Sequence, residues 1–210
     1  MFSKYAQYYD LFNSDKPYKK EIDFVYDWAE RPSSIFDIGC GTANYWQYYP
    51  KETTLLGIDK SSSMISKDER IIHGDIAKLG KIRARFYLAT ALFDVLNYIP
   101  RHDWWKNIPL REDGYFIFDT WDKEKVLKDG FKETSKTING VSREITPLYW
   151  DNKNVFLRID VSDGHNHFCE EHRMFLHSHE DILKFCGDEF EVMEVKPTKT
   201  WQTWYKLRRK

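Results

Sequence analysis

The 210 residues carry 32 Lys and Arg against 33 Asp and Glu, for a net charge of −1, with 31% charged and 41% hydrophobic residues, a balance that fits one sizeable soluble core. The basic run Leu207-Arg208-Arg209-Lys210 reads as a solvated tail, so charge gives no reason to expect a nucleic-acid partner. No apolar run nears the roughly 20 residues that cross a bilayer, and the three cysteines (Cys40, Cys169, Cys186) make neither a disulfide framework nor a zinc pattern.

Taken in chain order, Pro17 and the spacing of Ile22, Val25, Tyr26 and Ala29 predict a helix over 17–31, stopped by Pro32-Ser33-Ser34. Ile35–Ile38 reads as a buried strand, Asn44–Tyr49 as a short helix ended by Pro50, and Thr54–Asp59 as a second strand. Ser61 is placed to cap a helix running to Lys67. Arg70–Asp75 is a third strand and turn, and Phe86–Leu92 a fourth strand. A helix over Trp104–Leu110 leads through an Asp113-Gly114 turn to a fifth strand, Tyr115–Asp119. Strands that alternate with helices across short turns form βαβ units, with a parallel sheet and helices on both faces.

Beyond strand five the pattern changes. Asn139-Gly140 within Thr137–Val141 marks a hairpin turn, Val155–Val161 alternates, Asp163-Gly164 turns, and Phe168–Leu176 is a further strand. Residues 131–176 therefore form an antiparallel insertion, not an independent domain, and 1–210 is expected to be a single domain. A helix over His179–Phe185 and an antiparallel hairpin, Phe190–Val195 with Thr203–Leu207, complete the chain.

In parallel sheets ligands sit beyond the carboxyl ends of the strands, where strand order reverses. Asp37-Ile38-Gly39-Cys40-Gly41-Thr42 stands at such an end, and glycines there let backbone approach a ligand. An acid two places before the first glycine suits a ligand with a cationic end and a ribose better than a pyrophosphate. Asp37 either accepts from that cationic end, directly or through water, or braces the turn. Asp59, ending strand two, can accept both ribose hydroxyls; its other reading is a helix N-terminal acid. In Gly74-Asp75-Ile76 the Asp75 side chain can accept from an adenine amine and the Ile76 N–H can donate to a ring nitrogen, although Gly-Asp is also common turn chemistry. Met64 and Leu92 are placed to sandwich adenine and a methionine tail, and Cys40 and Lys60 lie in the same loops. These features point to S-adenosylmethionine. The histidines, His73, His102, His165, His167, His172, His177 and His179, have no acid or cysteine at a ligand offset and read as exposed turn or strand residues; no metal is expected.

The four blocks Phe36–Thr42, Gly57–Ile65, Gly74–Ile76 and Gly114–Asp119, in that order, resemble the class I S-adenosylmethionine-dependent methyltransferases of small-molecule type. The resemblance spans essentially the whole chain and implies a seven-stranded sheet. The expected fold class is thus α/β: a doubly wound, mostly parallel seven-stranded sheet with an antiparallel C-terminal hairpin and an antiparallel β insertion after strand five. Tyr8-Tyr9-Asp10-Leu11-Phe12 is similar to N-terminal segments that close over the site, and Phe131–Leu176 followed by His177-Ser178-His179-Glu180-Asp181 resembles the nucleotide-linked aminosugar N-methyltransferases, with a more distant likeness to glycine-type N-methyltransferases. It also implies that Tyr18 contacts the cofactor carboxylate. The pattern departs at Ala43, the third glycine position; at Tyr87, usually an acid; and at Asn13, where some sugar-modifying relatives carry an aromatic.

The reaction expected is methyl transfer to a small-molecule acceptor, with Tyr9, Asp94 and Tyr98 as candidates for taking a proton from it. No Pro-Pro-Tyr or Pro-Pro-Phe follows strand four and no Pro-Cys occurs, which argues against base methylation. Two rivals are weighed. A nicotinamide-dependent oxidoreductase would need a small residue at Asn44; a non-catalytic S-adenosylmethionine-binding module would keep the pocket without turnover. The start Met1-Phe2-Ser3-Lys4-Tyr5 lacks a signal-peptide apolar stretch, so a cytoplasmic protein is expected, and the insertion's edge strands suggest a homodimer.

Overall fold

The computed structural model describes residues 2–65, 68–78, 82–100 and 104–210. Apolar strands β1 (Ser34–Ile38), β2 (Thr54–Asp59), β3 (Ile71–His73), β4 (Phe86–Ala91) and β5 (Leu110–Trp121) lie parallel. With β10 (Phe190–Pro197) and β11 (Gln202–Arg209) they form a seven-stranded sheet in the order β10-β11-β5-β4-β1-β2-β3, with β11 antiparallel to both neighbours. The chain runs outward from β1 to β3, then returns to lay β4 on the other side of β1, so the order reverses between β1 and β4. That is where such sheets open a ligand crevice.

Side chains alternate across each strand, so the parity of β1 decides what each residue can reach. Phe36 and Ile38 enter one core with Trp104, Trp105, Phe116, Phe118 and Phe190. Ile35 enters the other with Tyr18, Ile22, Val25, Tyr45 and Trp46. Asp37 shares the parity of Ile35 and turns to the second core.

Three expected helices are not α-helices. Asn44–Tyr48 is a 3-10 helix entered through the left-handed Ala43 (φ 54°) and ended at Pro50. Trp105–Asn107 is a single 3-10 turn, and β5 begins only three residues later, at Leu110. The Ser61 hydroxyl caps nothing; it donates to the Phe2 carbonyl at 2.6 Å, Ser62–Met64 make a turn, and Lys67 lies outside the described residues. The Asp113-Gly114 turn is likewise absent as a strand boundary: β5 runs through it, with left-handed Asp113 (φ 61°) in a register shift against β4.

The α-helices are α1 (Ala6–Phe12), α2 (Tyr18–Trp28), α3 (Lys123–Asp129) and α4 (His179–Cys186), the last closed by a reciprocal Ser178/Asp181 capping box. Between α3 and α4 stand β6 (Thr134–Ile138), β7 (Val141–Trp150), β8 (Asn154–Ser162) and β9 (His167–Phe175), an antiparallel meander in that order. Asn139 and Gly140 both have positive φ, as a two-residue hairpin between β6 and β7 requires. One face of the meander packs Ile159 and Val161 against Tyr5 and Phe12 of the N-terminal segment. No helix among the described residues is long and apolar enough to cross a membrane.

Candidate active site

The carboxyl-end loops of β1 to β4, the N-terminal segment and the inner face of the meander enclose one cavity of about 730 Å³. That lies in the upper part of the roughly 300–1,000 Å³ range for small-molecule sites.

One half is built by the first three strands. Gly39 has φ 71°, and a Cβ there would stand 2.5 Å from Cγ2 of Val95. The loop after β1 is thus pressed onto the segment after β4; side-chain-free backbone at Gly39 serves packing as well as ligand approach. The Gly41 N–H donates to Asp59 Oδ2 at 2.8 Å, and the Ser61 N–H donates to Oδ1 at 2.7 Å. Each oxygen keeps a lone pair, so Asp59 stands oriented with capacity for two further donors. Burial raises its pKa, against the pull of those two amides. Asp75 Oδ2 pairs with Lys60 Nζ at 2.9 Å while Oδ1 accepts from the Ala77 N–H at 3.0 Å. Cys40, Met64, Ile76 and Leu92 give apolar walls, and Tyr18 closes one end, with Tyr45 and Phe93 packed on its ring.

Asp37 is absent from this lining. Its carboxyl is buried beneath the loop and takes three donors: Tyr45 Oη and Trp46 Nε1, both at 2.6 Å to Oδ2, and Thr90 Oγ1 at 2.8 Å to Oδ1. Strand parity accounts for this, and bracing the turn is the role these three contacts give it. Burial drives its pKa up to about 6 despite those bonds.

The other half brings together Tyr9, Asp94 and Tyr98. Phe93 and Asp94 both adopt left-handed backbone (φ 65° each), a strained pairing for non-glycine residues. The Asp119 carboxylate secures it, accepting the Phe93 N–H at 2.7 Å, the Asp94 N–H at 3.1 Å and Gln202 Nε2 at 3.0 Å. Asp94 makes no cap bond to the 3-10 helix Val95–Tyr98. Burial and the neighbouring Asp119 hold its carboxyl well above the ordinary carboxylate range. From the meander come Arg143, Ile145, Leu157, Ile159, His172 and Met174.

His172 and His177, expected as exposed strand or turn residues, are buried instead, and so is Glu170. Period-two alternation on β9 places Glu170, His172 and Met174 on one buried face, a signal present in Glu170-Glu171-His172-Arg173-Met174. His73, His165 and His167 are exposed, and His102 lies outside the described residues. Among the described residues no group of three or more His, Cys, Asp or Glu side chains is arranged to hold a metal ion.

No family model and no curated protein matches the chain in sequence. Solved structures do match in fold. An S-adenosylmethionine-dependent methyltransferase from Clostridium acetobutylicum superposes with a TM-score of 0.79 at 23% identity, covering 97% of this chain and 96% of that one. The chain has the S-adenosylmethionine-dependent methyltransferase fold. CalS10, an amino pentose methyltransferase from Micromonospora echinaspora, solved with S-adenosylmethionine bound, shares this methyltransferase fold with a TM-score of 0.76 at 16% identity, covering 100% and 98%. The sugar N-methyltransferase KedS8 from Streptoalloteichus sp. gives 0.78 at 17%, covering 96% and 93%.

Proposed function

We propose that this chain is an S-adenosylmethionine-dependent methyltransferase of a small-molecule amine, with the aminosugar of a nucleotide sugar as the acceptor class. One observation carries the reading: four carboxyl-end loops share a single cavity whose two halves differ in character. The first offers an oriented Asp59 with spare acceptor capacity, the Asp75-Ile76 turn and apolar walls. Those residues fit an adenosyl group, Asp59 toward the ribose hydroxyls, Asp75 and Ile76 toward the adenine edge, Met64 and Leu92 toward its faces, and Tyr18 toward the carboxylate. When bound, the cofactor would supply a methyl carbon activated on a sulfonium, open to an acceptor lone pair and with the neutral thioether as the leaving group.

The chain's own residues then have two tasks. They hold the acceptor in line, from which most of the acceleration comes, and they take the proton that an ammonium must lose before its nitrogen can attack. Asp94, with its raised pKa, is suited to the second task near neutral pH. Tyr9 and Tyr98 face the same half of the cavity and are placed to orient the acceptor. The likeness to CalS10 and KedS8 supports an aminosugar acceptor, and a cytoplasmic setting goes with such a metabolite.

The test is calorimetry with S-adenosylmethionine and its demethylated product, followed by product detection on a panel of nucleotide-linked aminosugars, free amines and hydroxyl acceptors. Absence of heat with both ligands refutes the reading. Heat without any product supports the non-catalytic module instead, and product from hydroxyl acceptors alone makes the chain an O-methyltransferase.

A further inference from the structure

His172 stands behind Tyr98 with no side-chain exposure. Its Nδ1 is 3.2 Å from the Tyr98 hydroxyl, while Nε2 has no hydrogen-bond partner and faces Glu170 Oε2 at 3.5 Å. Burial drives the imidazole pKa down to about 4, so the ring is neutral at pH 7, with one N–H and one acceptor nitrogen. Glu170 is ionised: although burial raises its pKa, the Ser3 hydroxyl (2.6 Å), the Ser3 N–H (3.1 Å) and the Tyr5 N–H (2.9 Å) hold it below the ordinary value.

These facts fix the ring proton. A lone pair on Nε2 would point at a carboxylate oxygen 3.5 Å away, whereas an N–H there is attracted to it. Nε2 therefore carries the hydrogen and Nδ1 is the acceptor. The Tyr98 hydroxyl must donate to Nδ1, and its oxygen presents only lone pairs to the cavity. Phe2 packs on both rings, 4.8 Å from His172 and 5.7 Å from Tyr98, and shields the pair.

The direction of that one hydroxyl proton matters to an amine. Tyrosine donating into the cavity would occupy the nitrogen lone pair that has to attack. Tyrosine accepting grips an N–H and leaves the lone pair free. We propose that His172, backed by Glu170, is a positioning residue that draws the Tyr98 hydroxyl proton out of the cavity, so that Tyr98 accepts from the methyl acceptor and cannot mask its nucleophilic lone pair. This rests on the methyltransferase reading.

Two measurements test it. The first is 15N NMR of the imidazole in wild type and Tyr98→Phe: wild type shows an Nε2–H tautomer, and the Nδ1 resonance moves when the tyrosine hydroxyl is removed. The second compares His172→Phe with His172→Asn, whose side-chain oxygen can replace the Nδ1 acceptor. His172→Phe lowers kcat by roughly tenfold to a hundredfold with S-adenosylmethionine affinity unchanged, His172→Asn restores most of the loss, and His172→Phe adds nothing in a Tyr98→Phe background. An Nδ1–H tautomer, equal losses in both His172 variants, or additive losses with Tyr98→Phe overturns the proposal. Should His172→Phe fail to fold, the NMR comparison still decides. Loss of cofactor heat in wild type would instead sink the methyltransferase reading, an outcome separate from a wrong tautomer with binding intact.

Discussion

Asp37→Asn isolates the electrostatics of the brace under the cavity. The carboxyl takes Tyr45 and Trp46 on one oxygen and Thr90 on the other. Asparagine can keep all three contacts, its oxygen toward Tyr45 and Trp46 and its amide donating to the Thr90 hydroxyl. What it removes is the buried charge. The folded-state pKa is raised from 3.8 to about 6. The stabilisation from the protonated form is therefore complete below about pH 4 and is lost as pH rises through 6. At about 1.4 kcal/mol per factor of ten, the ionised form costs about 3 kcal/mol at pH 8 relative to the unfolded chain. Urea unfolding followed by tryptophan fluorescence, run on both proteins from pH 4 to pH 8, should show the Asn variant gaining on wild type by up to about 3 kcal/mol as pH rises, with a plateau above pH 7. A difference that stays flat with pH, or moves the other way, would refute the assignment of Asp37 as a buried carboxyl destabilised by its own charge.

Three more outcomes follow from the site. Asp59→Ala removes the side-chain acceptors of two backbone N–H groups, those of Gly41 and Ser61, and both proposed ribose bonds; S-adenosylmethionine affinity by calorimetry should fall by roughly tenfold to a hundredfold, and an unchanged Kd removes Asp59 from the ribose role. Gly39→Ala should destabilise by about 1–3 kcal/mol through its left-handed φ and the 2.5 Å approach of Val95, and adding Val95→Ala should recover part of that; additive losses in thermal melts would contradict the contact. For Asp94, the raised pKa means the carboxylate is lost as pH falls through the near-neutral range, so kcat/KM for an amine should drop on that limb in wild type. Asp94→Asn should be slow and lack the limb, and retention of an identical limb would assign the proton transfer elsewhere.

The sheet was legible because its strands are short apolar runs between turn residues, and chain order alone puts Gly39, Asp59, Asp75 and Leu92 at one edge. Connections were less legible. Asn44–Tyr48 and Trp105–Asn107 have the apolar residues of helices but lie between a left-handed Ala43 and Pro50, or abut a strand, so only 3-10 turns fit. Asp113-Gly114 has turn chemistry that a strand can absorb as a bulge. For Asp37 the motif left two roles open, because motif position says nothing of strand parity, which aims the side chain into the core. Glu170 and His172 were hidden by polarity: alternation marks them as inward, but two ionisable groups on an inner face look like surface until the N-terminal segment is seen to cover them.

The segment after β4 leans two ways. Phe93 and Asp94 hang from the Asp119 carboxylate, and the next residue, Val95, bears on Gly39. A change made near Asp94 to admit a new acceptor is thereby transmitted to the nucleoside side, and specificity and cofactor affinity would drift together. Ile145, Leu157, Ile159 and Met174 hang from a different sheet. Anyone wishing to retune this protein for another acceptor should begin there.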